Sequence, residues 1–584
     1  MILQALKEYY DRKAADLPPT GWVSQRIDYA IVLDTSGRYM QLDLMKEDQA
    51  GKKKGFPCFV PMIGKQALKH TASGNDANLL WDKASFVLGI GDKADKKNDS
   101  FVNAINLWLG DTKDEGVTAV IAFLKNKQFT KIIKHNEYGE DINTGKPNIT
   151  FRLLGDKRLF IFESAAVKKA IATKWDKLTE NSGPGICLVT GEKANIETCH
   201  TVTKGVWGGQ TSGATIVGFN AEAFCSFNKK QGANSPVGNK AAFAYTTALN
   251  HLLDNVTKQR MQVGDASTVF WSEKETEFEK QVVDFFGEPP KDDPDRNVRA
   301  VQSLFRAPQT GTMPADDDKT RFYVLGLSPN ASRVAVRFWV VDTVAGMAGK
   351  IRQHFDDLRI VHNPKDREYF PLYRLLVSLA VQGKADNIPP NLAGDTMRAI
   401  LEGLPYPQTL LAAAIRRIRA EQSKKDKNSG KQLPNVTYER AALIKACLNR
   451  ANRFYNNDKE KEIEMSWDIT NTNIGYRLGG LFATLEKIQQ EANKGINATI
   501  RDKFYGAASS TPVTVFANLM RLSTHHLAKL ENRGRAVNLG KLIGEIMDPI
   551  NDFPAHLKLE DQGRFAIGYY HKMHDFLTKK SDNK

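Results

Sequence analysis

Catalytic and cofactor signatures are scarce in this sequence of 584 residues. It has no H-E-x-x-H, no G-x-S-x-G and no C-x-x-C, which excludes the common zincin, serine-hydrolase and zinc-knuckle patterns. No run of 18 apolar residues is present, so no membrane-spanning helix is expected. The opening MILQALKEYYDRK lacks the apolar core of a secretory leader. The basic residues are scattered and build no basic amphipathic helix, which argues against a membrane surface. Cysteine is sparse, five in all, and an odd number in a long chain points to a reducing cytoplasm rather than a disulfide framework.

The remaining candidates for chemistry are weak. Cys187, Cys199, His200 and Cys225 share one region, but their gaps are long and irregular, so buried thiols are a better reading than a zinc site. His525 and His526, then His571 and His574, lie on helical stretches. Neighbours on a helix do not face the same way, so each pair reads as a core residue plus a surface one. Asp and Glu are plentiful, yet no spacing selects a catalytic pair. We therefore expect no catalytic residue, no metal, no cofactor and no enzyme. A metal-dependent nuclease built on the tail histidines is the enzymatic rival.

What is abundant is positive charge, a formal +15. That balance favours a polyanionic partner, nucleic acid first. The length exceeds what one core organises, so two to four domains are expected.

Along the chain the first part mixes strands and helices. DYAIVLDTSGRYMQLDLM reads as a hairpin turning through Thr35, Ser36 and Gly37. ITFRLLGDKRLFIFES reads as a second hairpin around Gly155 and Asp156, and FYVLGLSPNASRVAVRFWVV as a third around SPNAS. GKKKGFPCFVPM reads as a basic loop before a short strand. Residues 98–136 and 239–260 carry helical periodicity. FGEPPKDDPDRN, residues 286–297, is a polar proline-rich linker. After about residue 370 the pattern is helical to the end; in NIGYRLGGLFATLEKIQQEA, Ile474, Leu478, Leu481, Leu485 and Ile488 share one face. The expected class is α+β: a mixed body with several β-hairpins, then a C-terminal helical bundle. Its expected divisions are 1–285, 298–370, 371–464 and 465–584.

Three stretches combine groups that contact nucleic acid. KHTASGNDANLLWDK offers Lys69, Thr71, Ser73, Asn75 and Asn78, behind the basic run Lys52, Lys53 and Lys54. Hydroxyls, amides and ammonium groups are what reach phosphates and base edges. GGQTSGATIVGFN, residues 208–220, presents Gln210, Ser212 and Asn220. It lacks the Lys of a P-loop and leads into a strand-like run from Thr215 to Phe219 instead of a helix, so it is no nucleotide-triphosphate loop. Its glycines permit close backbone approach to a phosphate or groove, or simply mark a turn. FNKKQGANSP follows, with Asn228, Lys229, Lys230, Gln231 and Asn234. In ASRVAVRFW, Arg333, Arg337 and Trp339 alternate onto the face opposite Val334, Val336 and Phe338. That Arg-and-aromatic face suits phosphate contact or base stacking, unless a neighbour covers it.

MILQALKEYYDR, TASGNDANLLWDKASFVLGI, KGVWGGQTSGATIVGFNAEAF, FAYTTALNHLL, FYVLGLSPNASRVAVRFW, LFATLEKIQQEANKGINATIRDKFYGAAS and GRFAIGYYHKMHDF together resemble the large subunit of the type I-C CRISPR surveillance complex, Cascade. The likeness runs over essentially the whole chain. It implies a non-nuclease subunit in the prokaryotic cytoplasm, at one end of a filament on the CRISPR RNA. It implies backbone, RNA-processing and small subunits as neighbours, double-stranded target DNA as ligand and a separate helicase–nuclease as recruit. The subunit would read the protospacer-adjacent motif (PAM) and help open the duplex into an R-loop. The 69–83 and 208–220 loops are then the expected motif-facing loops, with Lys229, Lys230, Arg333 and Arg337 as backbone or strand contacts. In such systems the C-terminal part is also made separately as the small subunit. Met465 is the expected internal start and Met397 its rival; the segment from Met465 holds 16 Lys plus Arg against 12 Asp plus Glu, a difference of +4. The alternative is a scaffold that holds the CRISPR RNA end and reads no DNA motif.

Overall fold

The computed structural model describes residues 1–49, 52–62, 77–127, 132, 137–179, 183–310, 319–426, 428–457 and 460–578. The chain divides into two units: residues 1–254 with 329–335, and residues 255–328 with 336–584. The class is α+β.

The first unit is organised by a four-stranded sheet whose strands lie in the order Tyr39–Leu44, Tyr29–Leu33, Asn148–Leu153, Trp81–Lys83. Strand β2 (Tyr29–Leu33) pairs antiparallel with β3 (Tyr39–Leu44) and parallel with β8 (Asn148–Leu153), which takes β7 (Trp81–Lys83) on its other edge. All five residues of YAIVL are buried, as expected for a strand covered on both faces. The helix Glu115–Asn126 packs on β2 and β8 and starts at Asp114, whose side chain accepts from the amide of Val117. The expected hairpin at 29–44 is present. Its Gly37 has φ +79°, and a Cβ there would stand 2.5 Å from the Ala119 carbonyl. The turn therefore needs glycine both for its backbone and for the helix behind it.

Four expectations are corrected here. The Lys52–Lys54 run is strand β5, paired with β4 (Glu47–Gln49) in the register Glu47↔Lys54; strand pairing between segments of opposite charge outweighs the weak strand propensity of lysine. The second expected hairpin is one strand only. After β8 the chain enters a 3₁₀ turn at Ile161–Glu163, where the Glu163 carboxylate accepts from the amides of Leu159 and Phe160. Both edges of β8 are already occupied by β2 and β7, so no partner strand is required there. The helix expected over 239–260 ends at Leu252, and Arg260–Val263 is a strand. The run from Thr215 to Phe219 is no strand: Ala214 bridges Thr203 and Thr215 bridges Arg333, so adjacent residues pair with different partners.

The second unit begins with a sheet in the order β11-β12-β13-β14 (Arg260–Val263, Ala266–Ser272, Arg321–Asn330, Arg333–Thr343). Mid-strand Gly326 leaves room for Phe338, whose ring would lie 2.4 Å from a Cβ at that position. Residues 286–297 lie within this unit; Asn297 donates to the carbonyls of Asp284 and Phe285 and ties the stretch to the helix before it. A helical array follows. Its centre is the pair Ile474–Ala492 and Leu559–Thr578. Cβ atoms at Gly475, Gly479 and Gly568 would meet the carbonyl oxygens of Asp561, Phe565 and Tyr476 at 2.0–2.3 Å. The two backbones thus touch, and small residues make the contact possible.

Candidate nucleic-acid interface

The 203–214 segment is a loop with a closed neck. Thr203 and Ala214 exchange backbone hydrogen bonds at 2.8 and 2.9 Å. Gly208 and Gly213 take φ of +73° and +90°, the left-handed region where a side chain is strained. A Cβ on Gly213 would also stand 2.9 Å from the Thr203 carbonyl. Gln210 and Ser212 are exposed, with the Ser212 hydroxyl 3.4 Å from Gln210 Oε1. Trp207 is also exposed beside them.

The chain leaving this loop docks on the tip of the β13–β14 hairpin. Thr215 donates to the Ser332 carbonyl, and Val334 donates to the Thr215 carbonyl. Arg333 is the central side chain. Its Nη2 donates to Oδ1 of Asn220, and its guanidinium carbon lies 3.8 Å from the centroid of the Phe224 ring. The structure thus joins two predicted residues, Asn220 and Arg333. It adds Phe224, which the sequence reading missed; the aromatic pair in AEAFCSFNKK was the available signal.

The next turn has an unusual backbone. Phe227, Asn228 and Gln231 have φ of +52°, +55° and +48°. Asn234 holds the turn: its amide nitrogen donates to the carbonyls of Lys229 and Gln231, and its Oδ1 accepts from the Ser226 amide. Asn234 is therefore a positioning residue. Lys229 and Lys230 are exposed, and Phe227 is 93% exposed. A solvated phenylalanine held at positive φ by its neighbours is a costly arrangement.

The other predicted groups are separate. Lys69, Thr71, Ser73 and Asn75 lie outside the described residues, as do the side chains of Lys52 and Lys53. Asn78 is half-buried, and its amide donates to Oδ2 of Asp82 at 2.7 Å. Burial pushes the Asp82 carboxyl up to about 6, against the pull of the Asn78 and Lys83 amides. Arg337 is paired with Asp265 at 2.8 Å. Trp339 stacks on Tyr323 at 5.6 Å with planes 8° apart, so a protein ring, not a base, covers it.

The sulfur and histidine groups have structural partners. Cys187 is buried and its Sγ accepts from the amides of Val189 and Gly238. His200 pairs with the Tyr245 hydroxyl, and burial lowers its pKa to about 4. Among the described residues no cluster of His, Cys, Asp and Glu has metal-binding geometry, and no helix is long and apolar enough to cross a membrane.

A family model described as CRISPR-associated protein (Cas_Csd1) matches residues 6–577. The chain belongs to that family. It is a CRISPR-associated subunit of Cascade, in agreement with the resemblance carried by its motifs. No curated protein matches this Csd1-family chain. The family is not a known enzyme family.

Proposed function

We propose that this chain is the type I-C large subunit that reads the PAM in double-stranded target DNA, promotes R-loop formation and helps recruit the helicase–nuclease. The observation that supports the reading is the contact of Arg333 with Asn220 and the Phe224 ring, where the chain leaving the 203–214 loop docks on the β13–β14 hairpin; Gln210, Ser212, Asn220, Lys229 and Lys230 are each exposed. Exposed amides and hydroxyls on a glycine-bearing loop suit groove edges, and the lysines suit phosphates. Asn78, with Lys69, Thr71, Ser73 and Asn75 before it, is the second proposed contact.

Energetics make a small reading surface sufficient. By analogy with another effector class, guide pairing carries the sequence and exchanging DNA–DNA for RNA–DNA pairs is nearly balanced. Contacts worth a few kcal/mol at the motif then decide whether opening starts. The net charge of +15 supplies salt-sensitive, sequence-independent attraction.

The segment from Met465 is the proposed small subunit. Met465 is exposed and precedes the helix Ile474–Ala492, whereas Met397 is fully buried inside the helix Pro390–Glu402. Either start keeps the touching helix pair whole, but only a start at Met397 would cut through a helix, Pro390–Glu402.

The test is binding of the assembled complex to targets with a randomised PAM. We expect the Gln210→Ala, Ser212→Ala double variant to relax motif preference with RNA loading intact, and Asn78→Ala to do so if the preceding segment reads the motif. Unchanged preference in both would remove both loops. No preference in the wild type would establish the scaffold reading instead.

A further inference from the structure

A cleft of about 600 Å³ opens in the second unit, lined by the first turn of the helix Tyr438–Phe454, the end of the helix Leu559–Thr578 and the segment around Arg367. This volume falls in the range of small-ligand sites, which pair aromatic walls with a few aimed polar groups. Tyr438 lines the cleft and is backed by His362, stacked at 4.6 Å with planes 5° apart. Phe370 meets the same tyrosine edge-on at 4.6 Å. Tyr570 also lines the cleft, beside His574 at 4.5 Å, and its hydroxyl is held by the Val361 carbonyl at 2.9 Å. These rings are fixed before any ligand arrives.

Three donors at the cleft lack a hydrogen-bond acceptor. Arg367 Nη1, Arg501 Nε and Thr437 Oγ1 all belong to lining residues, are buried and have no hydrogen-bond partner. The large majority of buried side-chain polar atoms are hydrogen-bonded in folded proteins, so three at one cleft point to an absent acceptor. Arg501 is itself 8% exposed, with Nη2 on Gln432 at 3.0 Å and Nε 4.0 Å from the buried Glu486 carboxylate, a pairing that leaves Arg367 as the principal cation for a phosphate. Arg374 is already occupied by Glu288. Asp366 and Glu439 also line the cleft and would repel a polyphosphate, so the fit is to a single phosphate.

We propose that this cleft binds one nucleotide unit: a base against Tyr438 and Tyr570, and a phosphate taken up by Arg367, Arg501 and Thr437 after small side-chain rotations. The same chemistry is offered by a free nucleoside monophosphate or by one unstacked nucleotide of a single strand. The cleft owes nothing to the motif-reading surface, and its test is independent of that surface.

The experiment is calorimetric titration of the full chain with AMP, UMP, adenosine, and a short 5′-phosphorylated oligonucleotide. We expect saturable binding of the phosphorylated probes. Arg367→Gln should weaken it about tenfold, the worth of a charge-assisted hydrogen bond, and Thr437→Val should weaken it by less. Adenosine should bind more weakly than AMP. Monophosphates binding as tightly as the oligonucleotide identify a free nucleotide as the ligand; binding of the oligonucleotide alone identifies a strand. No saturable binding of any phosphorylated probe would overturn the assignment. So would binding untouched by both Arg367→Glu and Thr437→Val, or an oligonucleotide signal lost with Arg333→Ala but not with Arg367→Gln.

Discussion

The guanidinium of Arg333 stacks 3.8 Å from the centroid of the Phe224 ring while donating to Asn220. A guanidinium has five N–H donors, so this clamp leaves others for a phosphate. Arg333→Ala should weaken duplex binding about equally for all motif sequences, and should flatten the salt dependence by about 0.9 in log K against log salt, one phosphate contact. Arg333→Lys keeps the charge but loses the planar stack, so it should fall between wild type and Arg333→Ala. Binding curves at several salt concentrations read both quantities. A motif-dependent loss would assign Arg333 to base reading instead.

The backbone contact between helices Ile474–Ala492 and Leu559–Thr578 predicts opposite outcomes for one substitution at two glycines. A Cβ at Gly479 would stand 2.1 Å from the Phe565 carbonyl, whereas at Gly540 nothing lies within 4 Å. Gly479→Ala should destabilise by about 1–3 kcal/mol or more through overpacking. Gly540→Ala, in an exposed helix, should stabilise by up to about 1 kcal/mol. Thermal denaturation followed by circular dichroism separates them. Equal stability of Gly479→Ala and wild type would mean the helices part at little cost.

Much of this fold was legible because its determinants are local. The turn around Gly37, the hairpin of β13 and β14 and the helix carrying Ile474 to Ile488 each depend on neighbours within a few residues, and all are present, although Val336, expected on the face of Val334 and Phe338, is exposed. The errors came where a distant partner decides. Phe160, Ile161 and Phe162 read as a strand, but β8 had no free edge to offer them. The site was legible as composition and not as geometry. Asn220 and Arg333 were both singled out, yet their contact and the ring of Phe224 between the loop and the hairpin come from tertiary packing. Arg337 and Trp339 show the converse: the alternation placed them on one face, and Asp265 and Tyr323 already occupy them.

Three buried histidines predict the acid limb of stability. His200, His354 and His571 each meet a tyrosine hydroxyl through Nδ1, and each Nε2 has no partner. Burial, the first cause in each, lowers their pKa values to about 4, 3 and 3. Folded values below the unfolded value near 6.5 mean that the unfolded chain binds more protons in between. Their contribution is therefore intact above about pH 6.5 and is lost as pH falls below it, by up to about 1.4 kcal/mol per pH unit for each histidine. Urea unfolding at pH 7.5, 6.5 and 5.5 should show the decline. His354→Gln should make the decline shallower; an unaltered slope would mean that His354 is protonated in the folded chain.

Phe227 combines 93% exposure with a φ of +52°, and neither feature benefits the fold. A left-handed non-glycine residue costs about 1–2 kcal/mol, and a solvated ring returns nothing. Lys229 and Lys230 follow it after Asn228, and Asn234 fixes the turn that carries all three. An apolar ring held out beside cations is the form of a wedge that enters and unstacks a base step. Phe227→Gly should therefore leave stability unchanged or raise it by up to about 1 kcal/mol, since relief of strain is partly offset by a freer unfolded chain. In the assembled complex it should bind the closed duplex as wild type does but open it more slowly. With unstacking worth a few kcal/mol per step, the loss should be about tenfold or more, read from 2-aminopurine placed next to the PAM. Phe227→Trp should retain opening. If Phe227→Gly opens duplex at the wild-type rate, the exposed ring takes no part in strand separation, and the duty passes to the glycine loop.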